Sequence, residues 1–188
     1  MRRTAPTIAA LALLAGCGNE RTPVPDVATP GPPIGTAQAR YPEAGISFLA
    51  PGGWRLTPGT APLVVTAQTG QATLAVWRYP RTEPLPRTRA HLRAARDALV
   101  AEARRRDPTF RLEHGALTRI GGAPAVQLRA TETINGLPRK VRSTHVYARG
   151  AEIVFDAYTT AEHFDRVDQQ VFRPVLRTLK ITEPRAAR

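Results

Sequence analysis

The chain must fold back on itself at Asn135-Gly136, and no other stretch of the sequence leaves so few options. Both central positions of a type I′ turn need positive φ, which Asn and Gly accept at low cost. The flanking runs, residues 126–134 and 137–148, read as two extended strands whose successive side chains point to opposite faces. A two-residue turn then sets the register. Arg129 must face Arg142, Thr131 must face Lys140, and all four share one face. Glu132 falls on the other face, and the outward neighbours Gln127, Thr131 and Thr133 carry no acid. Like charges directly opposite one another destabilise a sheet. Arg129, Lys140 and Arg142 are therefore read as an anion-accepting surface, and an acid supplied by a neighbouring element is the plainer alternative.

The rest of the chain supplies elements around this hairpin. Ile46 and Phe48 alternate with small or polar neighbours before Pro51-Gly52-Gly53 turns the chain into Trp54. Residues 63–65 and 74–77 read as buried strands. A helix is predicted over residues 88–106, with Leu92, Ala95, Leu99 and Ala103 at helical spacing and Pro108 just past its end. Residues 112–120 read as another strand, closed by Gly121-Gly122, and Gly150 turns the chain into Ile153-Val154-Phe155. Thr159, with Glu162 three residues on, resembles a capping box. The second helix it opens runs through Phe164, Val167, Val171 and Leu176 with a kink at Pro174. Leu179 and Ile181 offer a last short strand, and no internal repeat is visible.

The single cysteine, Cys17, excludes an internal disulfide, and its place gives it a different meaning. Arg2 and Arg3 precede an apolar run over residues 8–15, and Leu14-Ala15-Gly16-Cys17 closes it. The run is far shorter than the ~20 residues that a bilayer requires, and it fits a signal peptide. Leu14, Ala15, Gly16 and Cys17 resemble the bacterial lipobox. That resemblance implies a diacylglyceryl group on the Cys17 thiol, cleavage before it, and N-acylation in some cases. No other cofactor is expected. Pro23, Pro25, Pro30, Pro32 and Pro33 crowd the next stretch, which carries no apolar periodicity and is predicted to be a tether. The expected division is a leader over 1–16, lipidated cysteine and tether over 17–40, a folded domain over 41–183, and a disordered tail over 184–188.

Charge is the compositional outlier. Lys and Arg number 27 against 15 acids, a formal +12, and arginine dominates. Such a field favours anionic partners, although an arginine-rich composition also follows from GC-rich coding. On the first helix Arg89, Arg93, Arg96 and Arg104 fall on one stripe, expected to lie opposite Leu92 and Leu99. They are read as a membrane-facing contact with anionic head groups. The alternative is a solvated face partly neutralised by Asp97, Glu102 and Asp107.

One resemblance covers most of this. Gly45-Ile46-Ser47-Phe48, then Pro51-Gly52-Gly53-Trp54, three strands, a helix, a meander, a helix and a closing Leu179-Lys180-Ile181 resemble the PsbP-like fold. The LpqN-type and DcrB-type bacterial lipoproteins are among the relatives it looks like. The resemblance implies an α+β domain, an antiparallel sheet with helices packed on both faces. It also implies binding or assembly roles, and it offers no catalytic motif.

The residues agree on that last point. There is no Gly-x-Ser-x-Gly elbow, no phosphate loop and no paired metal-ligand spacing. His91, His114, His145 and His163 fall on different predicted elements, and Trp54 and Trp77 read as core residues. The expectation is a non-catalytic lipoprotein of the cell envelope. It would be exported and anchored to the outer face of the cytoplasmic membrane or, in a diderm, to an envelope membrane. Its partner would be an anionic envelope component or another envelope protein; nucleic acid is not expected, because an exported chain rarely meets it. The alternative is a hydrolase with Asp156, Tyr158 and His145 in a cleft.

Overall fold

The computed structural model describes residues 35 and 37–185. The stretch expected to hold a lipobox, Cys17 included, and the expected leader and tether up to residue 34 lie outside the described residues. Five strands come first: β1 (Gln38–Tyr41), β2 (Ile46–Leu49), β3 (Arg55–Pro58), β4 (Leu63–Thr69) and β5 (Ala72–Pro80). Helix α1 (Arg89–Arg106) follows, then the meander β6 (Arg111–Ile120), β7 (Ala123–Ile134), β8 (Leu137–Ala148) and β9 (Ala151–Thr159). The chain ends with α2 (Ala161–Val167), α3 (Arg173–Arg177) and β10 (Lys180–Ile181).

Seven strands form one antiparallel sheet in the order β3-β4-β5-β9-β8-β7-β6, and β1-β2-β10 form a small second sheet. The fold is α+β, with helices on both faces. Asn135 and Gly136 take φ of 51° and 76°, and Arg129 opposes Arg142 while Thr131 opposes Lys140, the register expected from the turn.

Each face of the large sheet carries its own core. On one, Leu92, Val100 and Ala103 of α1 pack against Val126, Leu128 and Ala130 of β7, with Phe110 and Tyr147. On the other, α2, α3 and the small sheet close over Leu74, Val76, Ile153 and Phe155. Aromatic edges lock this second core. Phe48 meets Phe155 at 5.9 Å and Trp54 meets Phe172 at 6.1 Å, both in T-shaped contact.

Four expectations need correction in detail. The folded part starts before residue 41: β1 pairs with β2, and the Gly35 N–H donates to the Ala50 carbonyl at 2.9 Å. It also continues past 183, where the Arg185 N–H donates to the Pro42 carbonyl at 2.9 Å. Thr159 is not a cap but the last residue of β9; Thr160 is the N-cap of α2, and its side chain makes no capping bond. The second helix is interrupted rather than simply kinked. Pro174 has no N–H to give and its ring crowds the carbonyl four residues back. The turn over Asp168–Phe172 widens to π geometry, and Arg173 donates its N–H to the Asp168 carbonyl.

Candidate functional site

The hairpin cations do share a face, but carboxylates come to them from three places outside the hairpin. Arg129 donates to Glu113 at 2.9 Å and to Asp165 at 2.6 Å, and its guanidinium lies 5.0 Å above the Phe164 ring. The Lys140 ammonium stands 3.1 Å from the other Glu113 oxygen. Arg142, almost fully buried, grips both oxygens of Asp168, which also accepts from Arg173 at 3.0 Å. Glu113 reaches this face through a bulge. The β6–β7 register shifts between Leu112 and His114, which lets Glu113 and His114 both point toward a cavity of about 590 Å³ beside Arg129 and Arg142. Burial alone would raise the Glu113 carboxyl, but bonds from Lys140 and Arg129 outweigh it and hold it below the ordinary carboxylate range. The repulsion read from the register is thus relieved internally, by the plainer of the two alternatives.

The helix stripe also sits differently. At roughly 100° per residue Val100 falls between Arg89 and Arg93, and Val100 is buried. The arginines therefore border the packed side of α1 instead of lying opposite it. Arg89, Arg93 and Arg96 face β6, while Arg104 lies outside that contact.

On the α1 face, strand alternation gathers a second group of polar side chains. Ser143 and His145 of β8, Glu152 and Asp156 of β9, and Glu132 of β7 line a cleft of about 280 Å³ with Arg106 and Leu99 of α1 and Tyr79 at its side. His145 Nε2 lies 3.0 Å from Ser143 Oγ, and Nδ1 lies 2.7 Å from Glu152 Oε1. Arg81 donates to the other Glu152 oxygen, and Ser143 donates to Asp156. The environments of the three acids diverge. Desolvation pushes Asp156 above the ordinary carboxylate range. It does the same to Glu132, helped by the nearby Asp156 charge. Burial would raise Glu152 as well, but the bonds from His145 and Arg81 win and lower it. The sequence reading named His145 and Asp156, and the structure brings these two together. Tyr158 shares their face of the sheet but does not line the cleft. Ser143 and Glu152 went unnoticed, although i, i+2 spacing along β8 and the Arg149-Gly150 turn place both beside His145.

Neither a protein-family model nor a curated protein matches the chain. Solved structures do. Cyanobacterial PsbP (CyanoP) from Synechocystis sp. PCC 6803 superposes with a TM-score of 0.60 at 16% identity, over 78% of this chain and 92% of that one. The fold is PsbP-like. LpqN, involved in cell envelope biogenesis of Mycobacterium tuberculosis, gives a TM-score of 0.54 at 17% identity, over 78% and 90% of the two chains. The Ran-binding protein Mog1p of Saccharomyces cerevisiae gives 0.52 at 7% identity, over 80% and 97%. Proteins described in such different terms share this PsbP-like architecture, so function has to be argued from side chains.

The cleft of this PsbP-like domain holds the atoms of a Ser-His-acid arrangement. A nucleophilic serine must give its proton to the histidine, and Ser143 gives its proton to Asp156. Acyl transfer also needs donors aimed at a developing oxyanion. The strand neighbours of Ser143 are paired on both sides, with β7 and with β9, so their N–H groups are spent in the ladders. The cleft is polar, and its hydrogen bonds run from Arg81 through Glu152, His145 and Ser143 to Asp156.

Proposed function

We propose that the protein is a membrane-anchored lipoprotein of the cell envelope and acts as a non-catalytic binding or assembly module. One observation carries the reading. Leu14-Ala15-Gly16-Cys17 closes an apolar leader, and the folded domain takes up the chain only about 20 residues later, at β1. An acyl-bearing Cys17 would then hold an independently folded PsbP-like domain at a membrane surface, since two or more acyl chains anchor stably. The fold shared with LpqN, a protein of cell envelope biogenesis, supports an extracytoplasmic setting. The engagement of Ser143 with Asp156 supports binding over hydrolysis. Growth with an alkyne analogue of palmitate tests the anchor. The wild-type chain is expected to take up label and Cys17→Ser to take up none; label retained by Cys17→Ser overturns the reading.

A hydrolase is the second reading, and the Ser143–His145–Glu152 geometry is the observation that favours it. A fluorophosphonate probe separates the two. The binding reading expects no labelling at Ser143, and labelling that disappears in both Ser143→Ala and His145→Ala establishes the hydrolase.

A further inference from the structure

Several cations of this domain are answered by acids, and others are not. Glu113 serves Arg129 and Lys140, Asp168 serves Arg142 and Arg173, and Glu102 serves Arg105 and Arg106. Between the N-terminal half of α1 and β6 lies an open groove of about 600 Å³ flanked by Arg89, Arg93 and Arg96 on the helix and Arg119 on the strand. No acid lines it. Asp97 holds Arg96 at 2.7 Å, and Arg119 donates to the Gly122 carbonyl. Arg89 and Arg93 have no ion pair or side-chain hydrogen bond among the described residues.

Two features of the sequence keep the groove open and positive at some cost to the fold. The first turn of α1 carries Arg89 and no acid, against the helix dipole, which favours anions at that end. Gly115 stands mid-strand in β6, where a side chain is ordinarily expected. A Cβ there would come within 3.3 Å of Arg96 Cδ, so the glycine lets the arginine stem lie across the strand. Departures from local rules gather at functional or strained sites.

We propose that this groove binds the phosphate groups of anionic phospholipids and lays the domain against the membrane. Guanidinium forks match phosphate oxygens bidentately, and Arg89 and Arg93, which line the groove beside Arg96 and Arg119, hold no acid among the described residues. No aromatic side chain lines the groove, which removes the stacking platform that single-stranded nucleic acid uses. The proposal rests on the anchored reading in one respect, that the anchor supplies the membrane. About 20 residues between Cys17 and β1 can extend no further than roughly 70 Å. The groove would therefore always be within reach of head groups at high effective concentration.

The test uses the full chain carrying Cys17→Ser, so that no lipid is attached. Whatever residues 1–34 contribute is common to every variant. Sedimentation with phosphatidylcholine vesicles, with and without phosphatidylglycerol, gives the partition coefficient. Arg93→Gln with Arg119→Gln is expected to lower binding to the anionic vesicles by about fivefold per arginine. The control, Arg105→Gln with Arg106→Gln, removes the same charge from the other end of α1 and should leave binding nearly unchanged. High salt should erase the difference between wild type and the groove variant. Equal losses in the two double variants would show a general charge effect and overturn the proposal. So would a groove that is stabilised by inorganic phosphate in solution while vesicle binding ignores Arg93 and Arg119. Failure of this test leaves palmitate labelling of Cys17 untouched, and failure of the labelling leaves the vesicle difference untouched, so the two readings fall separately.

Discussion

At the scale of single residues, the buried polar groups decide most. Asp168 is 1% exposed and depends on Arg142 for its charge balance, with Arg173 reaching it from the surface. Removing one member of such a pair strands the other. Arg142→Ala is expected to destabilise the protein by about 3–5 kcal/mol in urea denaturation, and a loss below about 1 kcal/mol would show the pair to be dispensable. Thr159 makes the opposite case. Its hydroxyl is fully buried with no hydrogen-bond partner among the described residues, so Thr159→Val should stabilise by about 1 kcal/mol. Asp156 gives a pH signature. Its folded-state carboxyl titrates above its unfolded value because of desolvation, so its contribution to stability is fully present below the unfolded value and is lost as pH rises through the folded one. Asp156→Asn keeps an acceptor for Ser143 and removes the charge. It should be more stable than wild type at pH 7, with the advantage shrinking toward pH ~4; an advantage independent of pH would refute the assignment. Of these residues the sequence revealed the register and hence the facing arginines. It hid their partners, because a bulge in β6 and a widened turn after α2 deliver Glu113 and Asp168 from far along the chain.

Elements with a strong local signal were legible, and those that depend on a partner were not. Thr88 caps α1 by accepting the His91 N–H at 3.1 Å, as its position before the apolar periodicity suggests. The Asn135-Gly136 hairpin follows from two residues alone. By contrast β1 has only one buried side chain, Ala39, and its strand character comes from pairing with β2, so composition read it as tether. A chain starting at Gly35 should therefore match the full chain in thermal stability. One starting at Pro42 loses Ala39 and the contact of Tyr41 with Phe48 at 6.2 Å, which should cost about 2 kcal/mol. Equal stability of the two would restore the boundary at residue 41. The π turn over Asp168–Phe172 was legible as an obstacle at Pro174 but not as a solution. Which way a helix accommodates a proline depends on what the widened turn buries, here Val171 and Phe172.

For the molecule as a whole, two kinds of membrane contact are proposed, and they answer differently to salt. Acyl chains on Cys17 hold by burial and are indifferent to ionic strength, whereas the arginine groove holds by charge and is screened. The basic excess of the whole chain, a formal +12, gains a location in this picture. That excess is what remains once every acid is counted, and the α1–β6 groove carries part of it. The most direct test is sedimentation of cell envelopes washed at low and at high salt. Wild type should stay in the membrane pellet through both washes. Cys17→Ser, with its leader exchanged for one removed without lipidation, should remain at low salt and come off at high salt. A wild-type chain released by salt, or a Cys17→Ser chain that resists it, would contradict a lipid-anchored domain steadied by its arginines.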